Sequence, residues 1–250
     1  MLSLLLALAS PAADLRPVFH YRRTNGDGSE AEDIYVFAEA PGRIAVMKEK
    51  SRCTNAAYVT AEIDPVRGHA VALTGGRLTR ALTQQPFAWL STAEGGTKLQ
   101  ARIGSREAEP TYELAVTAPW RVYDFDFADM ATHPPKAIGA RADFGFDLPL
   151  ILSTDDGFTF SNRGRITLSR AKSTRHFGEP AVRYRASGAA GKGSLWFNAR
   201  SGVLLEARLP LANHSEYRDF RLQLIRTTYG EASWQAKLAD HWRGCPPADG

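Results

Sequence analysis

The stretch Tyr123 to Met130, YDFDFADM, carries Asp124, Asp126 and Asp129 and flanks each of the first two with aromatic rings. In an extended strand Tyr123, Phe125 and Phe127 face one way and Asp124 and Asp126 the other, about 6.6 Å apart from two rises of about 3.3 Å. That separation overlaps the roughly 6.5–9.5 Å that inverting glycosidases use between an acid and a base. A hydrolase acting on a cell-wall or sugar polymer, with Asp124 and Asp126 as its carboxylate pair, is therefore the catalytic alternative. Any two acids at i and i+2 of a strand meet the same geometry, and catalysis also requires burial to raise one of the two pKa values. The basic residues that follow in the chain would keep both ionised. The expectation is a solvated or salt-bridged strand face with its aspartates outside the apolar interior. A cation site completed by Asp129, Asp143 or Asp147 is the lesser option.

Other chemical motifs are incomplete. DFGFD, Asp143 to Asp147, has no kinase context, and Ser169 to Lys172 reads S-x-x-K without the S-D-N and K-T-G partners or the helix that the Ser should open. SGAAGKGS, Ser187 to Ser194, misses phosphate-loop spacing and lies between strand patterns, as a hairpin tip would. The histidines at 20, 69, 133, 176, 214 and 241 show no metal or triad spacing; His133, in an irregular region, is the first to mutate. No metal site and no cofactor is expected. Arg163, Arg165, Arg183 and Arg185 alternate along strands and could grip an anionic ligand, although a solvated face needs none. Trp89, Trp120 and Trp196 could line a sugar groove, although core packing explains tryptophans more often.

The elements that must position these residues are mostly strands. Period-two alternation recurs in DIYVFAE from Asp33, RIAVMKE from Arg43, YVTAEID from Tyr58 and RITLSR from Arg165, with Gly, Pro, Asn and Asp clusters between. In YRDFRLQLIR, from Tyr217, Phe220, Leu222 and Leu224 share one face, which predicts a half-buried antiparallel strand. EAPGR at Glu39 and NARSGV at Asn198 read as hairpin turns. One helix is predicted near the C-terminus, where Trp234, Leu238 and Trp242 recur in EASWQAKLADHWRG ahead of Gly244 and two prolines. It should lie on a sheet face or plug a barrel end. The irregular region Met130 to Pro149 is the candidate functional loop or lid. With no repeat or linker, residues 14–250 read as a single β-rich domain: all-β, mainly antiparallel, an open barrel or strongly curved sheet with one C-terminal helix packed on it.

The start of the chain, MLSLLLALASPAAD, runs from an apolar stretch into small residues and reads as a signal peptide over 1–13, although a basic n-region is missing. The rest has no apolar run near the ~20 residues of a membrane helix. Two cysteines, Cys53 and Cys245, suit an exported protein that pairs them, which would constrain the unfolded chain by up to about 5 kcal/mol. The net charge of +4 is uneven. Residues 120–160 are acidic, whereas 161–210 have Glu179 and Glu206 as their only acids, so attraction between adjacent strands is the leading explanation. No nucleic-acid partner is expected.

Ser194 to Pro210, SLWFNARSGVLLEARLP, with the strand from Tyr217 to Arg226, forms an aromatic-ended strand, a tight Gly turn and a Leu- and Arg-bearing return. This late hairpin resembles that of periplasmic open-barrel proteins related to lipoprotein carriers. The resemblance implies a half-closed barrel that holds an acyl chain in an apolar cavity covered by helices, and it carries over no functional residue. The expected function is non-catalytic: a periplasmic or secreted protein that binds or carries an apolar or amphipathic envelope ligand. A structural or interaction module partnered with another envelope protein is the further alternative to the hydrolase.

Overall fold

Alternating segments pair with their neighbours along nearly the whole chain. The computed structural model describes residues 13–154 and 157–247, so the proposed signal peptide lies, but for Ala13, outside the described residues. A first meander comprises β1 (Pro17–Thr24), β2 (Glu32–Ala40), β3 (Arg43–Glu49), β4 (Ala57–Ile63), β5 (Ala70–Leu78), β6 (Gln84–Ala93), β7 (Lys98–Ile103) and β8 (Tyr112–Ala115). Two short helices follow, α1 (Ala128–Thr132) and α2 (Lys136–Ala140). The second meander comprises β9 (Phe144–Thr154), β10 (Gly157–His176), β11 (Glu179–Gly188), β12 (Gly193–Asn198), β13 (Leu204–Leu209) and β14 (Phe220–Tyr229), and ends in α3 (Glu231–Trp242).

Antiparallel pairing of β1 with β14 joins the meanders into one 14-stranded sheet with β8 and β9 at its ends. The sheet curls until those ends nearly meet. Across the seam Asp147 does the work of a missing ladder: its carboxylate accepts the Thr117 N–H at 2.8 Å and its backbone bonds Pro119 and Arg121, while the Asn162 amide of neighbouring β10 donates to the same carboxylate at 3.2 Å. The Asn162 amide also reaches the Ala115 carbonyl at 3.1 Å. The expected antiparallel β architecture is therefore present as a nearly closed barrel.

Its interior is filled by the chain itself. On β1, β2 and β3 the inward residues Phe19, Tyr21, Ile34, Val36, Ile44 and Val46 join one core with Leu148, Ile166, Phe197 and Leu222. The segment 116–142 crosses this interior and buries Trp120, Tyr123, Phe125, Phe127, Met130 and Ile138 in it. Burial of a Phe or Met side chain contributes roughly 1.5–3 kcal/mol. Two sequence expectations fail here. YDFDFADM is a turn leading into α1 and not a strand, because Asp126 and Phe127 adopt φ of +51° and +56°, and left-handed backbone cannot continue a pleat. Left-handed geometry costs a residue such as Phe127 about 1–2 kcal/mol; packing of its ring against Tyr123, Phe146 and Phe220 at 5.6, 6.0 and 5.5 Å offsets it. Likewise, Asp126 and Asp129 are buried rather than outside the apolar interior; of the irregular region Met130 to Pro149, Met130, Ala131 and Ile138 are buried, whereas Lys136 and residues 139–142 are exposed.

The predicted C-terminal helix forms, and it lies on the outside of the barrel. Trp234 and Leu238 cover a second apolar cluster of the outward residues Val18, Tyr35, Phe37, Ala45, Met47 and Tyr58. The Cys53–Cys245 disulfide, 192 positions apart in sequence, ties the end of this helix to the β3–β4 loop. No helix among the described residues is long and apolar enough to cross a membrane.

Candidate functional site

Alternation on three adjacent strands sets charges inside the barrel. Continuing the inward rows, β1 contributes Arg23, β2 Glu32 and β3 Lys48, with Arg23 directly opposite Glu32 and Lys48 directly opposite Ile34. All three stand at one end of the barrel. The crossing segment delivers Asp124 and Asp126 to them, and the loop between β13 and β14 delivers Asn213, His214 and Tyr217.

The resulting cluster is densely paired. Lys48 Nζ lies 2.6 Å from Asp126 and 3.8 Å from Asp124, and it donates to the Asp124 carbonyl. Arg23 lies 3.0 Å from Glu32 and 3.6 Å from Asp126, donates to Asn213 Oδ1 at 2.7 Å, and stacks over the Tyr217 ring at 3.7 Å. The Asn213 amide donates to Asp126 Oδ1 at 2.7 Å and to the Tyr123 carbonyl at 3.0 Å. His214 Nε2 meets Asp124 Oδ1.

These contacts fix the charge states. Burial alone would pull the Lys48 ammonium down, but Asp124, Asp126 and Glu32 outweigh it and push its pKa up to about 12. Burial alone would raise Asp124, yet Lys48 and His214 hold it well below the ordinary carboxylate range. Glu32 moves the other way: burial raises it despite Arg23 and Lys48.

Beside the cluster lies a cavity of about 210 Å³. Its charged end is formed by Glu32, Lys48, Asp124 and His214; its walls are apolar. Asp124 keeps 34% of its side-chain surface accessible, and it belongs to the cavity lining, so a ligand can reach it. The void has a readable origin. Val59, Gly75, Ala88 and Ile103 are successive cross-strand partners on β4, β5, β6 and β7, and they face the cavity with small side chains in the middle of the row. Phe87, Trp89, Phe125, Phe158 and Phe160 contribute further to the wall.

The residues singled out from sequence are dispersed. Asp124 reaches the cavity, whereas Asp126 is buried behind it against Lys48 and Asn213. Asp129 pairs with Arg121 at 2.7 Å, Asp147 holds the seam and Asp143 accepts the Arg170 N–H at 2.7 Å, so they do not converge. No group of three or more His, Cys, Asp or Glu side chains among the described residues is placed to hold a metal ion. The expected attraction between acidic and basic blocks is realised at Asp147 and Arg165, 3.4 Å apart, but the plug aspartates pair with Lys48, Arg23 and Arg121 instead. Trp89 lines the cavity, Trp120 is core and donates to the Ala70 carbonyl at 3.1 Å, and Trp196 sits on the outer face of β12. His133 is half-buried beside Thr132, away from the cavity. Sequence reasoning missed Arg23, Glu32, Lys48 and His214. The available signal was a charged residue at an inward position in each of three consecutive strands.

No family model and no curated protein matches this chain. The site must be read from its own chemistry.

Proposed function

We propose that this chain is an exported, non-catalytic carrier or binder of a small amphipathic molecule of the cell envelope. The single observation that carries the reading is an apolar cavity inside the barrel with paired charges at one end. An apolar portion of the ligand would occupy the wall of Val59, Leu73, Leu90 and Ile103, and a polar group would meet Lys48, Asp124 and His214. At about 210 Å³ the cavity is smaller than the ~300–1,000 Å³ of drug-sized ligand sites, which suits a short apolar segment rather than a complete two-chain lipid. Export is supported by the apolar start of the sequence and by the disulfide, since such bonds persist in oxidising compartments.

One observation favours the hydrolase alternative, namely a carboxylate, Asp124, beside Trp89 and Phe125 in the cavity. Against it, Lys48 and His214 favour the ionised form of Asp124, which does not suit a general acid. Its expected partner Asp126 does not line the space.

Native mass spectrometry of protein purified from its own periplasm is expected to show a copurifying small apolar or amphipathic adduct. A bare mass, together with failure to bind an anilinonaphthalene sulfonate probe, would overturn the carrier reading. Turnover of a sugar polymer abolished by Asp124→Asn would establish the hydrolase in its place.

A further inference from the structure

The outer face of the second meander carries a separate feature. Outward positions of four adjacent strands form two cross-strand rows. Arg183, Trp196, Glu206 and Gln223 make one, and Arg185, Ser194, Arg208 and Arg221 make the other. Arg183, Trp196 and the whole of the second row line an open groove of about 870 Å³, with Lys192 also in its wall.

Like charges directly opposite one another destabilise an antiparallel ladder, yet Arg208 stands directly across from Arg221. Their shared counter-charge is Glu206, which is fully buried in the sheet surface at 3.0 Å from Arg208 and 2.7 Å from Arg221 and also serves His176 at 2.8 Å. One carboxylate thus faces three basic groups. Arg185 makes no ion pair with any described residue, and the remaining acid of the groove, Asp219, is engaged by the Gly26 N–H at 2.7 Å. Arg183 is braced by Ser194 Oγ at 2.8 and 3.1 Å and lies over Trp196 at 5.3 Å. The groove therefore concentrates guanidinium groups, partly preorganised and undercompensated, on a rigid sheet.

We propose that this groove binds a ligand carrying two or more phosphate charges, gripped between Arg185, Arg208 and Arg221. The planar guanidinium fork matches phosphate oxygens in bidentate fashion, and a multiply charged group answers several forks at once. Such a site is independent of the interior cavity, from which the sheet separates it.

Tripolyphosphate titrated calorimetrically into the full disulfide-bonded chain at low ionic strength is the test. Binding is expected, falling with added salt, and weakening tenfold or more in both Arg185→Gln and Arg208→Gln while Arg106→Gln, an equal charge loss in a distant loop, leaves it unchanged. Arg185→Gln removes no ion pair, so its fold is not at risk. Flotation with cardiolipin vesicles, whose headgroup carries two phosphate charges, separates the sources. Capture that tripolyphosphate competes away assigns a lipid headgroup, whereas binding of tripolyphosphate without capture assigns a free phosphate ligand. No binding by the unsubstituted protein, or equal loss in Arg106→Gln, overturns the proposal.

Discussion

Lys48 Nζ and Asp126 Oδ2 lie 2.6 Å apart within the barrel, both side chains almost wholly removed from solvent. Removing one member of a buried ion pair leaves the other uncompensated, at a cost of about 3–5 kcal/mol. Asp126→Ala is therefore expected to lower stability by that order, because Lys48 and Arg23 both lose a counter-charge. Urea unfolding followed by far-UV circular dichroism checks it. A loss below 1 kcal/mol would mean that Asp124 and Glu32 neutralise the two cations unaided.

The same cluster dictates a pH profile. Asp124 is depressed on folding, so its stabilisation is present above its unfolded pKa and is lost as pH falls toward the depressed folded value. Lys48 is raised, so its stabilisation is complete below its ordinary 10.5 and is lost as pH rises through about 12. Glu32 is raised by burial and opposes Asp124 on the acid side, since protonating it relieves a desolvated charge. The urea midpoint should be flat between about pH 6 and 10 and decline below pH 4. In Asp124→Asn that acid decline should become shallower; an unchanged slope would assign it to other carboxylates.

The contrast between β3 and the crossing segment explains what the sequence could reveal. In RIAVMKE the pleat alternates Ile44, Val46 and Lys48 inward with Ala45 and Met47 outward, and both faces are buried, the outer one by α3. Periodicity is enough to place that strand, and the Trp234 and Leu238 spacing is enough to place its helix. The side on which the helix docks was not legible, since an apolar stripe fits either face of the sheet. YDFDFADM misled because its alternation suits a strand, while two left-handed residues that neither Asp nor Phe announces turn it into an interior plug. Once the segment turns inward, its aspartates must find cations, and only the three-dimensional closure of the barrel brings Lys48 and Arg23 to them.

The disulfide makes its own prediction. Cys53–Cys245 closes most of the chain into a loop, and the chain-entropy model gives an upper figure of about 5 kcal/mol for a span of this size. Reduction, or Cys245→Ser, should release the end of α3 first, because the helix is otherwise held by the Trp234 and Leu238 cluster and by the contacts of His241 with Glu49 and the Thr54 carbonyl. Amide exchange within 231–242 is expected to quicken by more than tenfold, while exchange in β9 to β12, across the barrel, changes little. Uniform acceleration over the whole sheet would show that helix and barrel unfold as one unit.

The cavity can be tested by filling it. Gly75 and Ala88 face each other across β5 and β6 with room for a larger side chain on the cavity side, so Ala88→Leu projects new volume into the apolar half of the space without touching Lys48, Asp124 or His214. Overpacking of a tight core costs typically 1–3 kcal/mol, whereas occupation of a true void avoids most of that cost by adding apolar contacts. The variant should keep its stability within about 1 kcal/mol and lose at least tenfold in affinity for an apolar fluorescent probe. Urea unfolding checks the first and probe fluorescence the second. Retained probe affinity in a stably folded Ala88→Leu protein would place apolar binding elsewhere on the molecule and remove the observation on which the carrier reading stands.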